Sequence, residues 1–170
     1  MKNPLVVNAL ELLRRPGSDK DVSCSVEADV VDLDDSRLVP HSSIEVALVC
    51  SSLSDGVVVE GRIAATFQGE CRRCLREVSG AVDVPVRELY QETLTDPDAF
   101  PISNDQIDLR PLVRETVLLE LPDAPLCSAD CRGLCPVCGV DRNRTECACR
   151  PTARDPRWSA LDALRDQLPE

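Results

Sequence analysis

Six of the ten cysteines in this chain fall between Cys127 and Cys149, and their spacing restricts what the protein can do more than any other feature. The stretch reads C-SAD-C-RGL-C-PV-C-GVDRNRTE-C-A-C, and an earlier pair, Cys71 and Cys74, reads C-RR-C. Eight cysteines in close pairs make two sets of four, the number that a tetrahedral structural zinc site consumes. In C-P-V-C-G, Cys135 to Gly139, the spacing predicts a zinc knuckle. A tight turn follows the first thiolate, backbone N–H groups can point at its sulfur, and glycine admits the positive φ with which the chain reverses. The expected ligands are Cys71, Cys74, Cys127, Cys131, Cys135, Cys138, Cys147 and Cys149, and the expected cofactor is zinc, two ions per chain. Cys135, Cys138, Cys147 and Cys149 can close one site alone, which leaves the other four for a second. Spacing also allows other partitions, such as Cys127, Cys131, Cys135 and Cys138 together. Cys24 and Cys50 sit in strand-like runs and read as small apolar side chains rather than ligands.

Catalytic zinc keeps an open coordination position, usually beside His or carboxylate ligands and a base. The chain has one histidine, His41, far in sequence from any of the paired cysteines. It has no Gly-rich phosphate loop and no Ser/His/Asp or Cys/His arrangement, and the deaminase pattern fails for want of its His-x-Glu. The expectation is a protein that is not an enzyme and takes no small-molecule substrate.

Thiols at these spacings favour metal over disulfide in a reducing compartment. The first residues, MKNPLVVNALELLRRPG, have neither the apolar run nor the cleavage pattern of a signal peptide, and no segment approaches the roughly 20 apolar residues of a membrane span. The expected location is therefore cytoplasmic, with no membrane partner. The net charge is −11, and it is lopsided: residues 1–130 hold 12 Lys/Arg against 24 Asp/Glu, whereas residues 131–170 hold 7 against 6. Each four-thiolate zinc site would add a further formal −2. So acidic a body will not bind nucleic acid through bulk electrostatics, and any RNA contact must be local or come through a protein partner. Arg142, Arg144 and Arg150, set among cysteines that would hold them on a rigid scaffold, are the candidate nucleic-acid residues.

The elements that position these residues follow from periodicity. Aromatics are only 2% of the chain, so the core rests on Val, Leu, Ile and Ala. Asn8 precedes a short helical run, ALELLRR, with Leu10 and Leu13 on one side and Pro16-Gly17 as its stop. Period-two alternation predicts strands over residues 22–33, 44–53, 57–67 and 78–90, with Ser54-Asp55-Gly56 turning a hairpin through positive φ. Cys71 and Cys74 then lie at the tip between the last two strands. Residues 95–105 read as a surface connector. Asp108 should cap a helix, LRPLVRETVLLEL, whose stripe of Leu109, Leu112, Val113, Thr116 and Val117 packs on the sheet. Asp155-Pro156 should start a last helix bearing Trp158, Leu161, Leu164 and Leu168. The expected fold is α+β: an antiparallel β-rich body with a packed helix (1–125) and a C-terminal cysteine-rich zinc lobe with its helix (126–170), joined as one integrated domain.

The ordered set C-R-R-C-L, I-D-L-R-P-L-V-R-E with L-P-D-A-P-L-C, C-R-G-L-C-P-V-C-G…C-A-C and D-P-R-W-x2-L, together with the N-terminal L-L-R-R-P-G, closely resembles the YceD family, also described as large ribosomal RNA subunit accumulation protein. The resemblance covers nearly the whole chain. It departs at residues 142–146, RNRTE, which are arginine-rich where the family turn is rich in Asn and Gly. It implies a β-rich body with a zinc-binding tail and a role in 23S rRNA accumulation, hence in large-subunit assembly. Its expected partners are the pre-ribosomal large subunit, its rRNA or a basic ribosomal protein.

Overall fold

The computed structural model describes residues 3–150 and 161. In chain order the elements are β1 (Val6–Asn8), α1 (Leu10–Arg14), β2 (Asp19–Glu27), a 3-10 turn (Ala28–Val31), β3 (Ser43–Ser52), β4 (Val57–Glu70), β5 (Glu77–Gln91), β6 (Phe100–Ser103), β7 (Gln106–Asp108) and α2 (Arg110–Glu120). The strands form one seven-stranded sheet in the order β1-β7-β6-β5-β4-β3-β2. Alternation carries the core: Val22 and Val26 of β2, Ile44, Val46, Leu48 and Cys50 of β3, and Val57, Val59, Ile63 and Ala65 of β4 are all buried. No helix among the described residues is long and apolar enough to cross a membrane.

The β3–β4 hairpin closes where expected, with the Leu53 N–H donating to the Gly56 carbonyl at 2.8 Å. Its glycine is needed for a different reason, since none of residues 53–56 has a positive φ. A Cβ on Gly56 would lie 2.3 Å from the Tyr90 carbonyl oxygen of β5, so close approach is what excludes a side chain. Gly61, inside β4, combines both demands: its φ is +149°, and a Cβ would lie 2.2 Å from the Ala47 carbonyl oxygen.

β4 and β5 outrun the core. They pair from Val57↔Tyr90 to Glu70↔Glu77, a ladder of about 45 Å at strand rise. β3 flanks β4 only as far as Ala64. Beyond it residues 37–39 take over, through the Gln68 N–H to Arg37 carbonyl bond at 2.7 Å and the Val39 N–H to Thr66 carbonyl bond at 3.2 Å. α2 buries Leu112, Val113 and Val117, with Leu109 buried just before it, against β4, β5 and the 3-10 turn. Its N-cap is Leu109 rather than the expected Asp108, which stands one residue earlier and accepts from the Arg110 N–H at 3.0 Å. Where α2 ends, the Arg37 guanidinium donates to the Leu121 carbonyl at 3.0 Å and pairs with Asp35 and Asp123. That clamp sends residues 122–126 back along the arm, where the Arg72 N–H meets the Pro125 carbonyl at 3.0 Å.

Several expectations are corrected. The body is not wholly antiparallel: β5 and β6 run parallel, so the sheet is mixed. Residues 28–31 wind into a 3-10 turn rather than extending β2, and Asp32 stops it in the left-handed region at φ 54°. The connector at 95–105 is not all loop, because Phe100–Ser103 and Gln106–Asp108 join the sheet and recruit β1 as its edge. In α1 the Asn8 side chain does accept from the Leu10 N–H at 2.9 Å, but Ala9 and Leu12 are the buried positions. The helix expected from Asp155 falls on residues outside the described set, Leu161 apart.

Gly61→Ala is expected to lower unfolding free energy by about 3 kcal/mol, through clash and backbone strain together. Gly17→Ala, at φ +84° with nothing within 4 Å, should lose only about 1 kcal/mol. Urea midpoints of the two variants check the contrast.

Candidate metal centres

The turn joining β4 to β5 and the C-P-V-C-G segment are the same structure built from different residues. At the hairpin tip the Cys71 N–H donates to the Arg76 carbonyl at 2.7 Å, and the Leu75 N–H to the Cys71 carbonyl at 2.9 Å. In the second turn the Cys135 N–H donates to the Val140 carbonyl at 2.8 Å, and the Gly139 N–H to the Cys135 carbonyl at 2.9 Å. Both turns reverse through a left-handed residue, Leu75 at φ 58° and Gly139 at φ 73°. Each leaves two sulfurs on one side of a tight turn, the geometry expected of a knuckle. Only the second has the glycine that the conformation favours.

Each knuckle is completed by two cysteines from elsewhere. Cys71, Cys74, Cys127 and Cys131 form one tetrad and Cys135, Cys138, Cys147 and Cys149 the other, with all sulfurs of a set within 4.8 Å of one another. Four sulfurs held about 2.3 Å from a central ion stand about 3.8 Å apart in a tetrahedron. The Cys71–Cys131 and Cys74–Cys127 sulfurs are separated by 3.7 and 3.5 Å. The donor set is therefore right in number, softness and spacing for a thiophilic divalent metal. The alternative grouping of Cys127 and Cys131 with Cys135 and Cys138 does not form. Cys24 and Cys50 join neither tetrad; Cys50 is fully buried, and burial raises its thiol pKa to about 11. His41 is exposed at φ 58° and also stands outside both.

The backbone prepares these sulfurs for a cation. The Cys127 N–H, aided by those of Arg73 and Cys74, brings the Cys71 thiol down to about 6. The N–H groups of Cys138 and Val137 do the same for Cys135, also to about 6. Cys131 is lowered too: burial opposes this, but the Gly133 N–H and the Asn143 amide outweigh it. Cys74, Cys127, Cys147 and Cys149 hold their protons more tightly than a free thiol. For Cys74 the Arg76 N–H pulls downward, yet burial and hydrogen bonds shared with Cys127, Cys71 and Cys131 push it up to about 12. Cys149 reaches about 12 chiefly by sharing a hydrogen bond with Cys138, and Cys127 and Cys147 are raised chiefly by Cys131 and Cys135. Each tetrad thus gathers thiolate charge beside retained protons that a metal would displace.

The two tetrads are tied to each other. Asn143, which sequence reading passed over, donates its amide N–H to Cys131 Sγ at 3.4 Å and to Asp141 at 2.7 Å, while its oxygen accepts from the Arg132 N–H at 2.7 Å. It reaches from the loop of the second tetrad to a sulfur of the first. The segment Arg132–Leu134 is held between the hairpin tip and that loop: the Leu134 N–H donates to the Arg73 carbonyl and the Arg142 N–H to the Gly133 carbonyl, both at 2.9 Å. Gly133, at φ +69°, is required there because a Cβ would meet the Arg73 carbonyl oxygen at 2.9 Å. The Arg73 guanidinium donates to the Cys131 carbonyl at 3.0 Å. Arg76 pairs with Asp141 across the two units at 3.2 Å. Of the arginines singled out from sequence, Arg142, Arg144 and Arg150 are all exposed; Arg144 lies 3.8 Å from Asp141, and Arg142 and Arg150 have no carboxylate partner among the described residues.

Comparison with known proteins places the chain in a family. Residues 59–165 match the family model "Large ribosomal RNA subunit accumulation protein YceD". The chain is 35% identical to the uncharacterized protein Rv2926c of Mycobacterium tuberculosis, over 94% of this chain and 80% of that one. It is 30% identical to the uncharacterized protein YlbN of Bacillus subtilis, over 60% and 64%. Over 41% of its length it is 32% identical to a chloroplastic protein of Arabidopsis thaliana named large ribosomal RNA subunit accumulation protein YCED homolog 1, covering 22% of that protein. No solved structure matches the chain.

Leu75 is 60% exposed and holds a left-handed backbone that favours glycine. Leu75→Gly is therefore expected to raise stability by about 1 kcal/mol, measured by chemical denaturation. A lowered midpoint would mean that the side chain packs.

Proposed function

The chain belongs to the YceD family of large ribosomal RNA subunit accumulation proteins, and on that premise we propose that it is a non-enzymatic zinc-binding factor supporting 23S rRNA accumulation and large-subunit assembly in the cytoplasm. The observation that carries this reading is the pair of closed cysteine tetrads at the end of the β4–β5 arm. Eight thiols in two sets of four leave no protein-free coordination position where water could be activated, which argues for zinc as a structural element. The ligands would be Cys71, Cys74, Cys127 and Cys131 in one site and Cys135, Cys138, Cys147 and Cys149 in the other. Zinc bound there supplies charge to offset the thiolates and fixes the fold of the lobe; the chain's own N–H donors and Asn143 orient the sulfurs toward it. Residues 1–125 then serve as an acidic β-rich body and 126–170 as the lobe that meets the pre-ribosomal large subunit, its rRNA or a basic ribosomal protein. A redox-responsive or zinc-buffering role is the competing reading, favoured by the exposure of Cys138 and Cys149 in the second tetrad.

Elemental analysis should give two zinc ions per chain, unchanged in Cys24→Ser and Cys50→Ser. Cys71→Ser should release metal and destabilise the body, because its site closes a loop of more than fifty residues. Cys147→Ser should release one ion and disturb mainly the lobe. Equal unfolding curves for the two variants would refute that division. In closed sites the tetrad thiols should resist alkylation until a chelator is added, whereas a reactive pair without chelator would favour the redox reading.

The tagged protein should co-sediment with large-subunit precursors. Arg142, Arg144 and Arg150 replaced together by Ala should weaken that association and flatten its salt dependence by up to about three phosphate contacts, with zinc retained. Unchanged association would move the contact to the acidic body and make the partner a basic protein.

A further inference from the structure

Folding brings a second group of cations, distant in sequence, against the arginines of the lobe. The β4–β5 tip carries Arg72, Arg73 and Arg76 within six residues, and all three are exposed. Arg73 is committed to the protein, since its guanidinium binds the Cys131 and Ala129 carbonyls. Arg72 has no carboxylate partner among the described residues. Arg76 reaches Asp141 Oδ2 at 3.2 Å, and Arg144 approaches the same oxygen at 3.8 Å. Two guanidiniums, one from the tip and one from the loop of the second tetrad, thus converge on one carboxylate, so that this carboxylate alone does not neutralise both. Backbone pairing sets the neighbours: the tip at Arg73, the strand-like segment Arg132–Leu134 and the loop at Asp141–Arg142 lie side by side, each about 5 Å from the next. The sulfurs lie mostly inside this arrangement and the guanidiniums on its rim, although the chain as a whole carries −11.

Leu75 supplies an independent observation. It stands between Arg72 and Arg76, exposed, in a backbone conformation that its counterpart in the second knuckle meets with glycine. A strained and exposed apolar side chain at the end of a long arm brings the core nothing, and strain of this kind marks a contact surface.

We propose that the β4–β5 tip, through Arg72, Arg76 and the apolar face of Leu75, forms one half of a composite RNA-contact surface whose other half is the arginine-bearing loop of the second tetrad. The tip engages backbone phosphates with its guanidiniums and an unstacked base with Leu75. This deepens the rRNA reading above and rests on it. RNA is favoured over an acidic protein because several planar, bidentate donors side by side on one surface suit successive phosphates on a strand. It follows that the surface exists only when the first tetrad is closed, since closure is what seats the tip against the loop.

The test uses the full chain with zinc bound and, as probe, a transcribed single-stranded fragment of large-subunit rRNA, titrated at several salt concentrations. Arg72→Glu with Arg76→Gln is expected to reduce the slope of log affinity against log salt by about 1.4, the value for two phosphate contacts on a single strand. Leu75→Gly is expected to weaken binding at least threefold with the slope unchanged and no loss of stability. Should Arg76→Gln release metal, Arg72→Glu alone decides, because Arg72 makes no side-chain contact that the fold needs. If the loop variants at Arg142, Arg144 and Arg150 change the slope and the tip variants do not, the composite surface is wrong while the rRNA reading stands. If neither set changes it, or if the wild type sediments with particles but does not bind the fragment, RNA contact itself is wrong and the partner is a basic protein.

Discussion

The convergence of Cys71 and Cys74 with Cys127 and Cys131 is the constraint on which the rest depends. It joins the end of a long hairpin to the chain leaving α2, across 53 residues from Cys74 to Cys127 and 60 from Cys71 to Cys131. A metal held by all four would crosslink that loop and restrict the unfolded chain by about 4 kcal/mol on the chain-entropy account. The protein has few other means of holding the arm. β5 buries nothing fully until Tyr90 and Gln91, and the aromatic pair Tyr90–Phe100, with centroids 5.1 Å apart, sits at the core end. At the far end the apolar cluster consists of Cys71, Cys74 and Cys131, flanked by Val78, Leu126, Cys127 and Leu134. The sulfurs are the core of that end.

That dependence explains how polar groups are placed around the first tetrad. A buried thiolate is stable only with donors aimed at it. Here the donors are backbone N–H groups of the knuckle and of Cys127, with Asn143 contributed by the neighbouring loop. The second tetrad has less cover: Cys138 and Cys149 are exposed, whereas Cys71, Cys74 and Cys131 of the first are buried. The asymmetry follows from position. The first tetrad lies between the sheet and the lobe, whereas among the described residues the second is covered by the lobe alone.

Much of this could be read from sequence, for identifiable reasons. Spacing named all eight convergent cysteines, alternation placed β2 to β5, and the stripe from Leu109 to Val117 placed α2. What stayed hidden depended on tertiary context. The grouping of the tetrads needed the hairpin tip and residue 127 to meet, which no spacing encodes. β6, β7 and β1 are three or four residues long, too short for a periodic signal, and are held by pairing alone. The first knuckle was recognisable only as a cysteine pair, because Leu75 stands where a glycine would have advertised the turn. Gly56 was located correctly and explained wrongly: it makes room for the Tyr90 carbonyl rather than turning through positive φ. Asn143 gave no signal because a lone Asn in a loop has many uses, and only the fold shows its amide against Cys131.

Sheet and lobe divide the work by charge as well as by structure. The body carries most of the acid, and its exposed strand faces are spread with carboxylates such as Glu45, Glu60 and Asp83, paired with no more than a few cations. A surface of that sign repels phosphate. The arm's length then matters electrostatically. With a Debye length of about 8 Å at physiological salt, a tip standing several times that distance from the far end of the sheet does not feel most of the body's charge. On the RNA reading proposed above, the arginines at the tip and in the adjoining loop contend mainly with Asp141 and the formal −2 of each metal-filled tetrad, rather than with the carboxylates of the distant sheet. A shorter hairpin carrying the same residues would place them inside the field of the carboxylates, which gives the extension of β4 and β5 beyond the core a physical purpose that packing alone does not supply.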